Sequence, residues 1–128
     1  MKYSDDIIEQ VWQKGQIVEG YKPDVVRKDA CGAWIIRSLH GDNTSPFGWE
    51  IDHIYPKSRL QELGVDEAKI EDMRNLRPLN SRNNSSKSDA YPSYVAVITS
   101  EDNKNIECSK QFIINAAIQE ELKELYNL

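Results

Sequence analysis

The chain has 128 residues and a mass of 14.7 kDa, the size of one domain with a modest apolar core. No apolar run approaches the roughly 18 residues of a membrane helix, which argues against a membrane partner. The opening MKYSDDIIEQ has no apolar segment typical of a secretory signal, so we expect a cytoplasmic protein. The net charge of −5 argues mildly against nucleic-acid binding, because phosphate binders usually carry excess Lys and Arg.

The first half of the chain predicts one helix and two strands. Ser4 can cap a helix that Gly15 ends. Its apolar face holds Ile7, Ile8, Val11 and Trp12. Strands are predicted around Ala33–Ser38 and at Trp49–Ile54, and the turn-rich GDNTSPFG between them suggests a long hairpin.

The second half continues the mixture of short helices and strands. QELGVDEAKIEDM predicts a short helix, and NLRPL an extended piece, because Pro78 disfavours helix at the residue before it. A short helix is predicted from about Ser81 to Ser88, then a strand at YVAVITS and a return strand at NIEC. Ser109 can cap a final helix with an apolar stripe. We therefore expect a single α+β domain over residues 1–128.

The two cysteines, Cys31 and Cys108, lie far apart and neither belongs to a C-x-x-C pair. In a cytoplasmic protein this predicts two buried, reduced thiols rather than a disulfide or a zinc site. Trp12, Trp34 and Trp49 fall in apolar patterns, which favours core packing over stacking on bases.

A cluster of positive charge interrupts the acidic chain. The segment RNLRPLNSRNNSSKS holds four cations and no acid: Arg74, Arg77, Arg82 and Lys87. A positive strip on an acidic body can hold a polyanion locally, and a solvated charged surface is the alternative.

Asp52 and His53 form an ionisable pair at the end of a predicted strand, where packing alone does not require one. A carboxylate oxygen suits a hard cation such as Mg²⁺, and an asparagine carbonyl can add a neutral oxygen ligand. Histidine suits general-base chemistry near neutral pH. Adjacent strand residues point in diverging directions, so a metal at Asp52 and a water at His53 can flank one phosphate. Taken alone, the pair can also be structural.

The motifs EIDHIYPKSRL and NLRPLNSRNNSSKSD together resemble the HNH endonucleases of the ββα-metal, or His-Me finger, class. That family has a strand ending in D-H, a loop with P-x-S, a short N-L-x-P-L strand, and a helix with a closing His or Asn followed by Lys. The closing N-x-x-K-S-D is similar to the HNH domain of RNA-guided CRISPR nucleases, where Asn also replaces the last His. The resemblance covers about residues 48–89, and a similar lead-in extends it to about Arg27.

The resemblance implies a role for each matching residue. His53 would be the general base, and Asp52 and Asn84 would hold one divalent metal ion. Asn75 would be structural, orienting His53 by a hydrogen bond across the loop. Lys87 would approach the phosphate or the leaving group.

Three further expectations concern the ligand, the metal and the nucleic-acid surface. Asn83 remains an alternative ligand, although the N-x-x-K spacing favours Asn84. A neutral Asn oxygen suits Mg²⁺ or Mn²⁺ better than zinc. Arg77 and Arg82 are expected to bind nucleic acid together with Lys87, and a homodimer or a partner protein can supply the basic surface that the acidic chain lacks.

The sequence thus predicts a metal-dependent DNA endonuclease. Its ββα-metal core would carry an N-terminal helix, an added β-hairpin, and a C-terminal strand pair plus helix. A DNA-binding or packaging accessory protein that keeps the fold without cleaving is the first alternative. A nuclease for RNA or single strands is the second.

Overall fold

The computed structural model describes residues 3–128, and within them helices and strands alternate along the chain. The helices are α1 (Asp5–Trp12), α2 (Lys57–Glu62), α3 (Glu67–Ile70), α4 (Ser81–Lys87) and α5 (Ala116–Tyr126). The strands are β1 (Val26–Lys28), β2 (Trp34–Ile36), β3 (Trp49–His53), β4 (Leu76–Asn80), β5 (Ser93–Glu101) and β6 (Lys104–Ile113). Short 3₁₀ turns cover Arg37–Leu39 and Met73–Asn75. The predicted α+β class is confirmed.

The strands form three two-stranded antiparallel sheets, in the pairs β1–β2, β3–β4 and β5–β6. The predicted hairpin between the second and third strands is therefore wrong. A tight turn decides the pairing: the N–H of Asp29 donates to the carbonyl of Ala33 at 2.8 Å, and this turn brings β1 against β2. β3 reaches instead to β4, across a long connection that holds α2 and α3.

The N-terminal helix packs on the sheet that the third and fourth strands form. Ser4 caps α1 as predicted, accepting a hydrogen bond from the N–H of Ile7 at 3.3 Å, but the helix ends at Trp12, before Gly15. Its apolar face joins one core cluster, formed by Val11, Trp12, Ile35, Trp49, Ile51 and Leu76. The tryptophan rings at its centre have centroids 5.3 Å apart. All three tryptophans are buried, which confirms their packing role.

The C-terminal half forms a second core cluster. Ser109 lies inside β6 rather than at the start of the final helix, because β6 stays paired with β5 as far as Ile113. Asn115 caps α5 instead, accepting from the N–H of Ile118 at 2.8 Å. α5 buries Leu122, Leu125 and Tyr126 against this cluster. Among residues 3–128, no helix combines the length and the apolar character needed to span a bilayer.

Asp29 joins these parts of the molecule. Its carboxylate is 1% exposed and accepts four hydrogen bonds of 2.9–3.1 Å, from the N–H groups of Cys31, Ala33 and Asn80 and the side-chain amide of Asn83. Burial raises the pKa of Asp29, and these donors oppose the rise. Both cysteines are free thiols as predicted, Cys31 buried and Cys108 partly so.

Candidate active site

The strands β3 and β4 and the helix α4 form one ββα unit. The two strands are antiparallel, and their register runs from Trp49 opposite Asn80 to His53 opposite Leu76. Asn80 ends β4 and caps α4, accepting from the N–H of Arg82 at 3.0 Å. At the start of β3, a Cβ on Gly48 would lie 1.7 Å from the carbonyl oxygen of Asp42, so only glycine fits there.

An open cavity of about 270 Å³ lies against this unit. It is lined by Ile51, Asp52, His53, Pro56, Lys57, Ser58, Asn84, Ser88 and Asp89. The three side chains expected to act on metal and water, Asp52, His53 and Asn84, therefore face one common space. The P-x-S loop that follows β3 contributes all three of its residues to the wall.

Asp52 is only 3% exposed and is held between two cations. Arg77 lies directly opposite it in the β3–β4 register, and Arg77 Nε donates to Asp52 Oδ2 at 2.8 Å. Lys87 Nζ lies 3.3 Å from Oδ1. The negative charge of Asp52 is thus compensated by two internal cations, and the residue also lines the open cavity.

Lys87 differs from its expected place. Its side chain is fully buried, and Nζ donates to the carbonyl oxygens of His53 and Ile54, each at 3.1 Å. Burial lowers the pKa of Lys87, and the charge of Asp52 opposes that change. A buried ammonium with these partners cannot contact a phosphate in solvent, so the expected phosphate contact is corrected to an internal one that holds the end of β3.

Arg77 is also turned inward. Its side chain is 12% exposed and stacks over the ring of Tyr94 at 5.1 Å. Burial works to lower the pKa of Arg77, but the nearby Asp52 carboxylate outweighs it and the pKa is raised. The expected surface contact with nucleic acid is therefore not available to Arg77 in this conformation.

The other two cations of the segment are exposed but have acidic neighbours. The Arg74 guanidinium donates two hydrogen bonds to Asp72, at 2.9 Å each. Arg82 lies 3.5 Å from Glu107, and both side chains are largely in solvent, so this pair is weak. The positive strip expected from the sequence is thus divided, with Arg82 the cation most open to an anion.

His53 is held by a neighbour that the sequence does not indicate. Its Nε2 lies 2.9 and 3.0 Å from the two carboxylate oxygens of Glu71. The hydroxyl of Tyr3 donates to Glu71 at 2.6 Å and lies 3.4 Å from the same Nε2. Burial works to raise the pKa of Glu71, but hydrogen bonds from Tyr3 and His53 outweigh it, and the pKa is lowered.

Asn75 has a different partner from the one expected. Its Oδ1 accepts from the N–H of Tyr55 at 2.7 Å, and its Nδ2 donates to the carbonyl of Tyr55 at 3.1 Å. The N–H of Ile54 donates to the carbonyl of Asn75 at 2.8 Å. Asn75 is structural as predicted, but it holds the backbone that follows His53 rather than the imidazole itself.

The two neighbouring asparagines of α4 are clearly separated. Asn83 is fully buried, where its oxygen accepts from the N–H groups of Val97 and Ile98 at 2.9 Å, at the bulge of β5. Its amide nitrogen donates to Asp29. Asn84 is partly exposed and lines the cavity. Of the two asparagines, only Asn84 lines the cavity that Asp52 also lines.

The residues fit a hard divalent cation by their chemistry. Asp52 and Asn84 bring a charged and a neutral oxygen to the cavity, and Asp89 adds a second carboxylate to its wall. Within residues 3–128, no group of three or more His, Cys, Asp or Glu side chains is arranged to hold a metal.

Lys57 and Glu71 are the residues that the sequence reading missed. Lys57 lines the cavity and lies 2.9 Å from Glu67 and 3.6 Å from Glu71. Its place in the P-K-S loop was a signal that could have been used. Glu71 gave no signal, because its contact with His53 spans 18 residues of sequence.

Comparison of the chain with protein-family models, with curated proteins and with solved structures found no match.

Proposed function

We propose that the protein is a metal-dependent endonuclease of the HNH type that hydrolyses phosphodiester bonds in DNA. One observation carries this proposal: the ββα unit turns Asp52, His53 and Asn84 toward one open cavity. The motif resemblance supports the same assignment from the sequence. DNA, rather than RNA or single strands, follows from that resemblance alone.

In the proposed reaction, His53 removes a proton from a water that attacks the phosphorus atom. The new P–O bond forms as the bond to the leaving ester oxygen breaks, and that oxygen takes its proton from solvent. Asp52 and Asn84 would hold one Mg²⁺ or Mn²⁺ ion, which would stabilise the negative charge on the phosphate and the leaving oxygen. Lys57 is the cation on the cavity wall, so it can attract the phosphate.

A plasmid assay tests the proposal. Purified protein is incubated with supercoiled plasmid, linear duplex, single-stranded DNA and RNA, each with Mg²⁺, with Mn²⁺ or with EDTA. We expect metal-dependent relaxation or linearisation of the plasmid and none in EDTA. Cleavage of RNA or single strands alone would change the substrate class, and absence of all cleavage would overturn the proposal.

A non-cleaving DNA-binding accessory protein is the second candidate, and the double ion pair of Asp52 favours it. A carboxylate paired with Arg77 and Lys87 can serve the fold without holding a metal. Calorimetric titration of Mg²⁺ or Mn²⁺ separates the two candidates. The nuclease should bind metal through Asp52, and the accessory protein should bind DNA equally well with EDTA.

A further inference from the structure

The hydrogen bonds around the His53 ring determine where its proton lies. Glu71 presents both carboxylate oxygens to Nε2, at 2.9 and 3.0 Å. An ionised carboxylate only accepts hydrogen bonds, so the imidazole nitrogen beside it must donate. In the neutral ring, a proton on Nε2 leaves the lone pair on Nδ1.

Tyr3 strengthens this arrangement from the other side. Its hydroxyl donates to Glu71 Oε1 at 2.6 Å, which commits the Tyr3 proton to the carboxylate. Burial raises the pKa of Tyr3, and the hydrogen bond to Glu71 raises it further. Tyr3 therefore stays protonated beside a charged Glu71, and Glu71 receives two donors, Tyr3 from the segment before α1 and His53 from the end of β3.

Asn75 cannot take the same part. Its amide oxygen and nitrogen are occupied by the backbone of Tyr55, with a longer contact of 3.5 Å from Nδ2 to the carbonyl of Ile70. It thereby braces the chain just before Glu71. Asn75 supports the loop, and Glu71 is the residue that reaches the ring.

We propose that Glu71 is the positioning residue of His53, fixing the ring with Nε2–H toward its carboxylate and Nδ1 free to accept the proton of the attacking water. The kinetic part of this inference rests on the proposed nuclease function. The assignment of the ring proton does not, because it concerns the resting protein. This is the logic of a general base held by a third group.

Nuclear magnetic resonance of the full chain with ¹⁵N-labelled histidine tests the proton assignment. The chain has two histidines, so a His40→Gln variant assigns the His53 signals. We expect the neutral ring to carry its proton on Nε2, with slow exchange of that proton with solvent. Glu71→Ala should speed this exchange at least tenfold. A proton on Nδ1, or an unchanged exchange rate in Glu71→Ala, would overturn the inference.

Cleavage kinetics test the positioning role. Glu71→Ala should lower kcat about 10- to 100-fold, the usual effect of losing such a partner, with little change in KM for DNA. Glu71→Gln should restore part of kcat, because its carbonyl still accepts from Nε2–H. Glu67→Ala is the matched control, since Glu67 contacts Lys57 but not His53. Equal losses in Glu71→Ala and Glu67→Ala would contradict the role.

The two measurements also separate the two proposals. If the wild-type protein cleaves nothing, the proposed function fails, and the exchange data still decide whether Glu71 fixes the ring. If cleavage is present but the ring proton lies on Nδ1, the nuclease stands and the role of Glu71 is wrong.

Discussion

Asp29 and Asp52 are both nearly fully buried carboxylates, but different groups compensate their negative charges. Asp29 accepts three backbone N–H groups and one side-chain amide, all of them neutral. Asp52 lies between two side-chain cations and also lines an open cavity. The first closes the turn after β1 and ties it to the ββα unit, and the second faces the space where chemistry is proposed.

The two carboxylates differ in how many acceptor positions their partners leave open. Backbone donors are fixed by the fold, so a carboxylate saturated by them has no bonding capacity left for a ligand. Side-chain cations compensate charge without using every lone pair, since a carboxylate has about four acceptor positions. Asp52 therefore retains acceptor positions that Asp29 has already used.

The largest expected effects are on plasmid cleavage, when either of the two residues at the end of β3 is replaced. His53→Ala should lower plasmid cleavage about 10²- to 10⁴-fold and retain metal binding, because only the proton acceptor is removed. Asp52→Ala should lose metal binding and cleavage together. Calorimetric metal titration and plasmid cleavage on both variants measure the difference.

Folding is the control for this pair. Removing Asp52 leaves Arg77 and Lys87 buried without their acid, which should cost about 3 to 5 kcal/mol of unfolding free energy. Urea denaturation of both variants shows whether each is folded under the assay conditions. Near wild-type cleavage by folded His53→Ala would make the histidine structural and the mechanism wrong.

Asp29 should affect stability and not chemistry. Asp29→Ala leaves buried N–H groups without an acceptor and should lower the unfolding free energy by about 3 kcal/mol. Asp24→Ala, at an exposed position nearby, is the matched control and should change little. Urea denaturation measures both. Loss of cleavage by folded Asp29→Ala at unchanged stability would reverse the comparison.

The two lysines near the site should also differ, one affecting DNA binding and the other affecting stability. Lys57→Met should reduce the slope of log affinity against log salt by about 1, because Lys57 lines the cavity. Lys87→Met should leave that slope unchanged and lower the unfolding free energy by about 1 to 3 kcal/mol, since it removes buried hydrogen bonds.

Fluorescence anisotropy of labelled duplex over a salt series measures these slopes. Binding by the wild-type chain should be weak and strongly dependent on salt, because the body of the protein is acidic. Tight binding that salt does not weaken would contradict this expectation.

The smallest expected effect is the pH dependence of stability at Glu71. Its pKa lies below the ordinary value in the folded protein, so the unfolded chain binds more protons in that range. The stabilisation is complete above the ordinary pKa and is lost as the pH falls through the folded value. The stability advantage of wild type over Glu71→Gln should therefore shrink on acidification. Urea titrations at stepwise lower pH measure it, and an advantage that grows toward acid would contradict the assignment.

Local patterns in the sequence were sufficient for the elements that depend on neighbouring residues. The cap at Ser4, the break to extended chain at Pro78 and the short helix from Ser81 needed only local signals, and all three are present. The pairing of β2 failed because a tight turn at Asp29 closed a shorter hairpin than the one predicted. The predicted helix cap at Ser109 is wrong because continued pairing of β6 with β5 overrides the capping preference of serine.

The same distinction between local and long-range signals applies to the candidate site. Asp52 and His53 were found because a strand motif brings them together, and Asn84 because its helix follows at a fixed spacing. Inward-turned Lys87 and the Glu71 contact were missed because each depends on packing between distant segments. Charge counts along the chain could not show that two of four cations are internal.

The thiol of Cys31 has a practical consequence for measuring how the turn at Asp29 opens. Burial, with the charge of Asp29, raises its pKa to about 12, so little reactive thiolate exists in the closed state. Its backbone N–H is one of the donors to Asp29. Alkylation of Cys31 therefore reports how readily this turn opens, and the partly exposed Cys108 serves as an internal reference for reagent access.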